Sequence, residues 1–387
     1  MLFRKFLLVL LTSLSVNSCT RAQTWVDSLD AYARAQFLPP NKYCWLWTHA
    51  ALLNTMVKQY EWAPESSKNQ YVEYVQKAMK KNMAVANGTS PNDVASALGL
   101  AFLYRTTKDE KYKTKAERIY RQYLKIRRTQ EGGVSHLKLF TELWDDTVFM
   151  IGQFLLGMYQ ATGDEKYLNE FAKQFRLHHD KLSDPDSGLW VHGWDSNNRI
   201  HCTFCSQMHW PDKQTRRSTE MWGRGNGWIV VTLSDALDVI PKENPLWTEM
   251  AGYLKEMIVN LPDRQDDITG HWYQLPLRHT EPDNWIESSC TAMFAYGIQS
   301  ALRHGVVNET KYRQSTDKAY RGLRSHSMTT TGSGQLTVKN VCVGTCIGNK
   351  QYYYQRKTKT GSPYGIGMCI QFGLQYELQN GLRKNKN

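Results

Sequence analysis

The chain has 387 residues, of which 41% are hydrophobic and 22% charged, and its formal net charge is +12. This composition excludes an intrinsically disordered chain and allows one large globular domain or two ordinary ones. The positive charge favours an anionic partner, but the basic residues are spread over helix faces without a nucleic-acid-binding motif, so we expect no nucleic-acid partner.

The first 22 residues are typical of a secretory signal peptide. Arg4 and Lys5 precede an apolar run at 6–14 that is too short to span a bilayer. Cleavage before Gln23 is the favoured outcome, and a lipid anchor at Cys19, which ends a loose lipobox, is the alternative. We therefore expect an exported protein without a membrane span.

Helical periodicity dominates the remaining chain. Apolar residues recur at three- and four-residue spacing and predict helices over 71–83, 94–104, 111–126, 143–159, 167–178, 221–240 and 247–261. Alternating patterns are scarce, and short β segments are predicted only near the C-terminus, at 336–343 and 351–355. The sequence therefore predicts an all-α protein with minor β structure.

A short repeat organises these helices into pairs. Thr-Lys-Asp-Glu-Lys-Tyr at 107–112 returns as Thr-Gly-Asp-Glu-Lys-Tyr at 162–167, and a looser copy lies at 308–312. The Asp is expected to cap a helix, the Glu to favour its first turn and the Tyr to pack. A repeat of roughly 55 residues gives six or seven helix pairs. Six pairs can close into an (α/α)6 barrel, with an open solenoid as the alternative, and we expect one domain over 23–387.

Eight cysteines raise the question of metal binding. Cys202 and Cys205 form a C-x-x-C pair, and Cys342 and Cys346 form a second close pair. Because the two pairs are widely separated and export implies an oxidising compartment, we expect disulfides or buried thiols and neither a metal nor a cofactor.

One stretch, E-L-W-D-D-T-V-F-M, could carry acid–base chemistry. Its two adjacent carboxylates, Asp145 and Asp146, lie between Trp144 and the apolar side chains of Phe149 and Met150. An Asp at a helix start is often no more than a cap. A carboxyl group held among apolar side chains would instead have a raised pKa and could act as a general acid.

Two glycine-containing stretches could bind a sugar. In W-G-R-G-N-G-W, Arg224 could pair with a substrate carboxylate between the rings of Trp222 and Trp228. A tight entry into a helix is the structural alternative. In V-H-G-W-D, His192 suits a polar sugar contact, although a lone His is more often structural.

These stretches together resemble glycoside hydrolase family 105, the unsaturated rhamnogalacturonyl hydrolases. The family's W-x-D-T-x-F-M, H-G-W-D and W-x-R-G-N-G-W motifs match 144–150, 192–195 and 222–228 in the same order, and the likeness continues through 270–274 and 287–296. The resemblance implies an (α/α)6 barrel that removes a terminal 4,5-unsaturated galacturonyl residue from rhamnogalacturonan (pectin) oligosaccharides. In that chemistry an acid protonates the C4=C5 bond, water adds at C5, and the resulting hemiketal collapses.

The resemblance also implies roles for individual residues. By motif position, Asp146 is the proton donor, and Asp93 is the best match for a second carboxylate on an earlier helix. Residues implied to bind the acidic oligosaccharide are His136, Trp144, His192, Trp222, Arg224 and Trp228. Asp145 is secondary, because neighbouring helix positions point about 100° apart.

Three alternatives remain open at this point. The family 88 unsaturated glucuronyl hydrolases share the fold and the chemistry but differ in substrate. A non-catalytic, sugar-binding lipoprotein would use the many Trp residues and Cys19 but would not need Asp146. An inverting barrel glycosidase with paired carboxylates would act on saturated substrates.

Overall fold

The computed structural model describes residues 23–37, 42–196 and 210–383. The predicted signal peptide at 1–22 and the expectations for Cys19, Cys202 and Cys205 lie outside the described residues.

In the described part of the chain, twelve long helices form two concentric layers. The inner helices are α2 (Trp47–Trp62), α5 (Leu98–Thr107), α7 (Thr147–Thr162), α9 (Gly223–Val239), α11 (Ser288–His304) and α14 (Pro363–Gln379). The outer helices are α1 (Trp25–Phe37), α3 (Glu65–Asn82), α6 (Glu110–Tyr123), α8 (Glu165–Leu182), α10 (Pro245–Ile258) and α12 (Thr310–Gly322). Each inner helix packs on the next, and α14 closes the ring against α2, so the predicted (α/α)6 barrel is formed.

The repeat marks the turn between an inner and an outer helix, as predicted. At the first copy, Lys108 adopts the left-handed conformation with φ of 58°, and the Asp109 side chain accepts a hydrogen bond from the backbone N–H of Lys111. At the second copy, Gly163 adopts the left-handed conformation, and the Asp164 side chain accepts a hydrogen bond from the backbone N–H of Lys166. The left-handed residue ends one helix and the capping carboxylate starts the next, which turns the chain within a few residues.

The two layers differ in where they place apolar side chains. Inner helices such as α7 and α11 are apolar around most of their circumference and almost wholly buried. Outer helices such as α6 and α8 bury one stripe, which includes Tyr112 and Tyr167, and expose a charged face. Within the described residues, none of the helices combines the length and the low polarity that crossing a membrane requires.

Short helices and strands connect the layers around the inner helices' N-terminal ends. They are α4 (Pro91–Val94), α13 (Lys350–Tyr354), β1 (Glu142–Trp144), β2 (Gly193–Asp195), β3 (Met328–Thr330), β4 (Leu336–Val338), β5 (Val341–Cys342) and β6 (Thr358–Lys359). The strands pair antiparallel as β1 with β2, β3 with β4, and β5 with β6.

Two predicted elements differ from the structure. The helix expected over 143–159 begins only at Thr147, because Glu142–Trp144 form a strand that pairs with Gly193–Asp195. The β segment expected at 351–355 is α13, which Asn349 caps by accepting a hydrogen bond from the Tyr352 N–H. The β segment expected at 336–343 is confirmed as β4 and β5.

Cys290, Cys342 and Cys369 are buried free thiols, which agrees with the predicted alternative of buried thiols for these three residues. Desolvation raises the pKa of Cys290 well above its ordinary value, so this thiol stays protonated inside the barrel.

Candidate active site

Asp146 lies at the N-terminal end of the inner helix α7, directly after strand β1. Its side chain makes no capping hydrogen bond to the helix, so the simple capping role considered for this residue is not observed. β1 reaches this point because its three residues pair with β2, which brings the W-D-D and H-G-W-D stretches together. Two motifs that are about 50 residues apart in sequence therefore meet at one end of the barrel.

A histidine and a tryptophan surround the Asp146 carboxyl group. His136 Nδ1 lies 3.2 Å from Asp146 Oδ1 and 2.9 Å from Thr147 Oγ1. The His136 ring stacks on Trp144 with 4.6 Å between ring centroids and 4° between ring planes. The Trp144 indole N–H in turn donates to the Glu142 carboxylate at 2.8 Å, which fixes the ring. The stacked pair holds His136 against the carboxyl group of Asp146.

Asp146 combines burial with access to solvent. Burial raises the pKa of its carboxyl group above the ordinary value, although interactions with His136 and Arg224 lower it. The side chain nevertheless keeps 13% of its surface exposed. A carboxylic acid with a raised pKa that can still be reached from outside is suited to donate a proton.

Asp145 and His192 form a closed layer behind Asp146. Both side chains are fully buried, and 3.8 Å separates His192 Nε2 from Asp145 Oδ1. His192 Nδ1 lies 2.7 Å from the hydroxyl group of Tyr353. Burial and the neighbouring Asp146 raise the pKa of Asp145 well above its usual range, and burial lowers the pKa of His192 well below it. Both shifts favour the uncharged form of the group.

Arg224 is committed to the protein backbone rather than to the cleft. Its guanidinium group is completely buried and donates to the carbonyl oxygens of Cys342 at 2.6 Å and Val343 at 2.9 Å. Its central carbon also lies 4.4 Å from the ring centroid of Trp222. Two of its nitrogens thus hold the β5 segment over the helix end, and the predicted pairing of Arg224 with a substrate carboxylate stays a prediction.

Trp222 and Trp228 are both buried, so neither ring presents a free face. Trp222 is 2% exposed and packs on His192 with 4.6 Å between centroids. Trp228 is 1% exposed and lies in the core between Phe149 and Trp47. The structure shows Trp228 in a packing role, and its predicted substrate contact stays a prediction. Trp222 contacts His192 and Arg224 at the site.

The structure brings Asn92, rather than Asp93, into contact with His136. Asn92 Nδ2 lies 3.4 Å from His136 Nε2, on the opposite side of the ring from Asp146. The Asp93 carboxylate instead accepts hydrogen bonds from Ser90 and Thr89 and lies 3.6 Å from Lys138 Nζ. The structure therefore places Asp93 in its own surface turn, and its role as a second catalytic carboxylate stays a prediction.

Known proteins are similar to this chain over almost its whole length. The sequence profile of Glycosyl Hydrolase Family 88 matches residues 18–379. The chain belongs to this family. The relative "Unsaturated rhamnogalacturonyl hydrolase YesR" of Bacillus subtilis (strain 168) is 27% identical over 341 residues, which are 85% of this chain and 89% of the relative.

Solved structures share the fold of this family 88 chain. The family 105 glycoside hydrolase of C. acetobutylicum ATCC 824 superposes with a TM-score of 0.78 at 22% identity, covering 92% of this chain and 99% of the other. A possible family 105 member from Klebsiella pneumoniae subsp. pneumoniae MGH 78578 has a TM-score of 0.76 at 24% identity, covering 92% and 93%. The predicted relation to families 105 and 88, the barrel and the assignment as a glycoside hydrolase are confirmed.

Three residues at the family 88 site were not among the predicted ones. Thr147 contacts His136, Asn92 contacts the same ring, and Tyr353 contacts His192. The position of Thr147 directly after Asp146 is a sequence signal that could have identified it. Nothing in the sequence relates Tyr353 to His192, because the contact spans 161 residues.

Proposed function

We propose that this glycoside hydrolase removes a terminal 4,5-unsaturated galacturonyl residue from rhamnogalacturonan oligosaccharides by hydrating the C4=C5 bond. The observation that carries the proposal is Asp146, a carboxyl group with a raised pKa that remains partly exposed beside the stacked His136–Trp144 pair. The rhamnogalacturonyl preference is supported by the similarity to the Bacillus relative, an unsaturated rhamnogalacturonyl hydrolase. The net charge of +12 further favours an acidic substrate.

In the proposed reaction Asp146 gives its proton to C4 of the unsaturated uronate, and a water molecule adds at C5. The Asp146 carboxylate then takes a proton from that water, so the enzyme returns to its starting state. The resulting hemiketal opens, and the adjacent sugar leaves with its own oxygen. One acid that later acts as a base is sufficient for this series of steps. A second carboxyl group is not needed, which fits a site where Asp145 is fully buried.

The neighbouring residues would orient the substrate and tune the acid. His136 and Trp144 lie at the side of Asp146 and are proposed to contact the unsaturated ring. His192 is fully buried and is proposed to act through its packing on Trp144 and Trp222. Arg224 is proposed to lower the pKa of Asp146 through its charge and to hold the β5 segment in place.

The test follows the ultraviolet absorbance of a lyase-generated, unsaturated rhamnogalacturonan disaccharide after purified enzyme is added. We expect the double-bond absorbance to disappear, while the saturated disaccharide in a parallel reaction is not cleaved. Asp146→Asn should lower kcat by about 10²- to 10⁴-fold, because the amide cannot donate an acidic proton. Binding of the unsaturated disaccharide should survive this substitution.

The other outcomes separate the remaining functions. Turnover of unsaturated glucuronyl disaccharides alone would keep the chemistry and replace the substrate. Cleavage of the saturated disaccharide would indicate an ordinary glycosidase and contradict hydration. Binding without turnover of any unsaturated substrate would favour a sugar-binding protein.

We also propose that the enzyme works after export, which the charged and apolar pattern of the first 22 residues supports. Mass spectrometry of the mature N-terminus should find Gln23 as the first residue. A lipid-modified Cys19 would instead indicate an anchored form, and an intact N-terminus on a cytoplasmic protein would contradict export.

A further inference from the structure

A cavity lies inside the barrel, away from Asp146. It has a volume of about 230 Å³ and is lined by residues of α2, α5, α7, α9 and α11. On α7 the cavity begins at Gln153, which is seven residues or about 10 Å along the helix axis from Asp146. The exposed residues Glu61 and Gln160 lie at its edge, so the cavity opens at the end of the barrel opposite the active site.

One buried side chain of this cavity lacks a partner. Gln153 is 4% exposed, and its Nε2 makes no hydrogen bond within the described part of the chain. Buried side-chain donors are almost always satisfied by protein, water or ligand. An acceptor group inside the cavity would satisfy this amide, so Gln153 is the group that points to a bound molecule.

Apart from Glu61, which pairs with Arg105 at the edge, the charged side chains of the cavity neutralise one another. Lys58 Nζ lies 2.9 Å from Asp235 Oδ1 and 3.2 Å from Asp238 Oδ2. Arg303 also binds Asp238, and the Asn54 amide donates to Asp235 at 3.0 Å. An anionic ligand would meet two carboxylates, and a cationic ligand would meet Lys58 and Arg303. The lining therefore favours a neutral ligand that can accept and donate hydrogen bonds.

An indole ring completes the lining. Trp62 is half-buried and borders both this cavity and an adjacent one of about 300 Å³. A flat aromatic ring can pack on the apolar C–H face of a sugar while amide and carboxylate groups bind its hydroxyl groups. The combination of Trp62, the unpartnered Gln153 amide and the paired charges thus matches one ligand class.

We propose that this cavity is a second site, which binds a neutral monosaccharide or a similar polyol. The proposal is independent of the catalytic assignment, because no residue that lines the cavity belongs to the cluster around Asp146. The sugar's hydroxyl oxygen accepts the Gln153 N–H, its ring packs on Trp62, and its other hydroxyl groups lie beside Asn54 and Asp235.

The test uses saturation-transfer NMR of the purified full chain with L-rhamnose and D-galactose at millimolar concentration, followed by crystals soaked in the better binder. We expect binding to the wild type and to Asp146→Asn, and sugar density between Trp62 and Gln153. Gln153→Met, which keeps the side-chain size but removes the donor, should weaken binding about tenfold. Trp62→Ala should abolish it.

Two controls keep the result interpretable. Gln153→Met removes an unsatisfied buried donor, so the unfolding temperature of this variant should not fall. Trp62→Ala offers a second variant at the rim of the cavity. Trp144→Ala alters only the active-site cleft and should leave the binding unchanged. No binding to the wild type would overturn the proposal. Binding that Trp144→Ala removes and Gln153→Met preserves would also overturn it, because the sugar would then occupy the catalytic cleft.

Discussion

Asp145 and Asp146 are adjacent carboxyl groups with different surroundings. Asp145 is fully buried, while Asp146 keeps 13% of its side chain exposed. Because burial and Asp146 raise the pKa of Asp145 well above its ordinary value, the protonated form of this carboxyl group is favoured, and that form resembles an amide in shape. We expect Asp145→Asn to retain kcat within about tenfold, whereas Asp146→Asn loses about 10²- to 10⁴-fold.

The comparison is made by following the double-bond absorbance with both variants at saturating substrate. Their circular dichroism spectra serve as the folding control. Equal losses in the two variants would mean that both carboxyl groups take part in chemistry, as in a paired-carboxylate glycosidase.

The pH dependence of catalysis should report the Asp146 carboxyl group. The active form is protonated, and burial raises its pKa above the ordinary 3.8. kcat/KM should therefore be constant at low pH and fall about tenfold per pH unit once the pH exceeds this raised pKa. His136 lowers the pKa of Asp146, so His136→Gln should move the midpoint to higher pH. An unchanged or lower midpoint, measured over the range in which the variant stays folded, would contradict the assignment of Asp146 as donor.

Local neighbours made some site residues predictable. The Asp145–Asp146 pair stood out because Trp144, Phe149 and Met150 flank it in sequence, and motif position then selected Asp146. The three apolar side chains are buried in the structure. The burial of Arg224 and Trp228 could not be predicted, because it depends on distant residues. The carbonyl group that binds Arg224 belongs to Cys342, 118 residues away, and no local pattern contains that contact.

Glu287 joins two elements at the active-site end of the barrel. Its fully buried carboxylate caps α11 by accepting the Cys290 N–H at 2.6 Å, and it accepts the Cys342 N–H of β5 at 2.9 Å. Because these two backbone donors and the Ser289 hydroxyl group would lose their acceptor, Glu287→Ala should lower the free energy of unfolding by roughly 2–3 kcal/mol. Denaturant unfolding measures the loss.

Asn244→Ala provides the matched control for this capping role. Asn244 caps α10 by accepting the Leu246 N–H at 3.0 Å, but it does not contact another element. Its removal should cost only about 1 kcal/mol. Equal losses in the Glu287 and Asn244 variants would mean that the bond from Glu287 to β5 contributes nothing to stability.

The helices were easier to predict from the sequence than the strands. Apolar periodicity over roughly three to five turns, or an Asp-Glu-Lys-Tyr turn, is a local signal, and these signals predicted the paired helices α5–α6 and α7–α8. β1 and β2 have three residues each and exist because they pair with each other at the active-site end of the barrel. Strands this short carry too few residues to show an alternating pattern, so tertiary pairing decides them.

At the scale of the whole molecule, a buried ion cluster joins inner helices near their C-terminal ends. Lys58 of α2 bridges Asp235 and Asp238, which lie on α9, and Arg303 of α11 binds Asp238. Removing Lys58 would leave the two carboxylates buried without their shared cation. Lys58→Met should therefore lower the free energy of unfolding by about 3–5 kcal/mol.

An exposed lysine serves as the control for this prediction. Lys68 pairs with Glu65 on the surface, where solvent screens the interaction, so Lys68→Met should leave the unfolding temperature nearly unchanged. Similar losses in the Lys58 and Lys68 variants would show that the cluster does not stabilise the barrel.

The same cluster should make the barrel sensitive to acid. Burial raises the pKa of Asp238, but Lys58, His304 and Arg303 outweigh it and hold the pKa below the ordinary 3.8. A carboxylate with a lowered folded-state pKa contributes stability above the unfolded pKa of about 3.9, and this contribution is lost as the pH falls towards the folded value. The difference in unfolding free energy between the wild type and Lys58→Met should thus be constant from pH 7 to 5 and shrink below about pH 4. Denaturant unfolding at pH 7, 5 and 3 measures it, and a difference that stays the same at pH 3 would mean that Lys58 stabilises the barrel by packing rather than by charge.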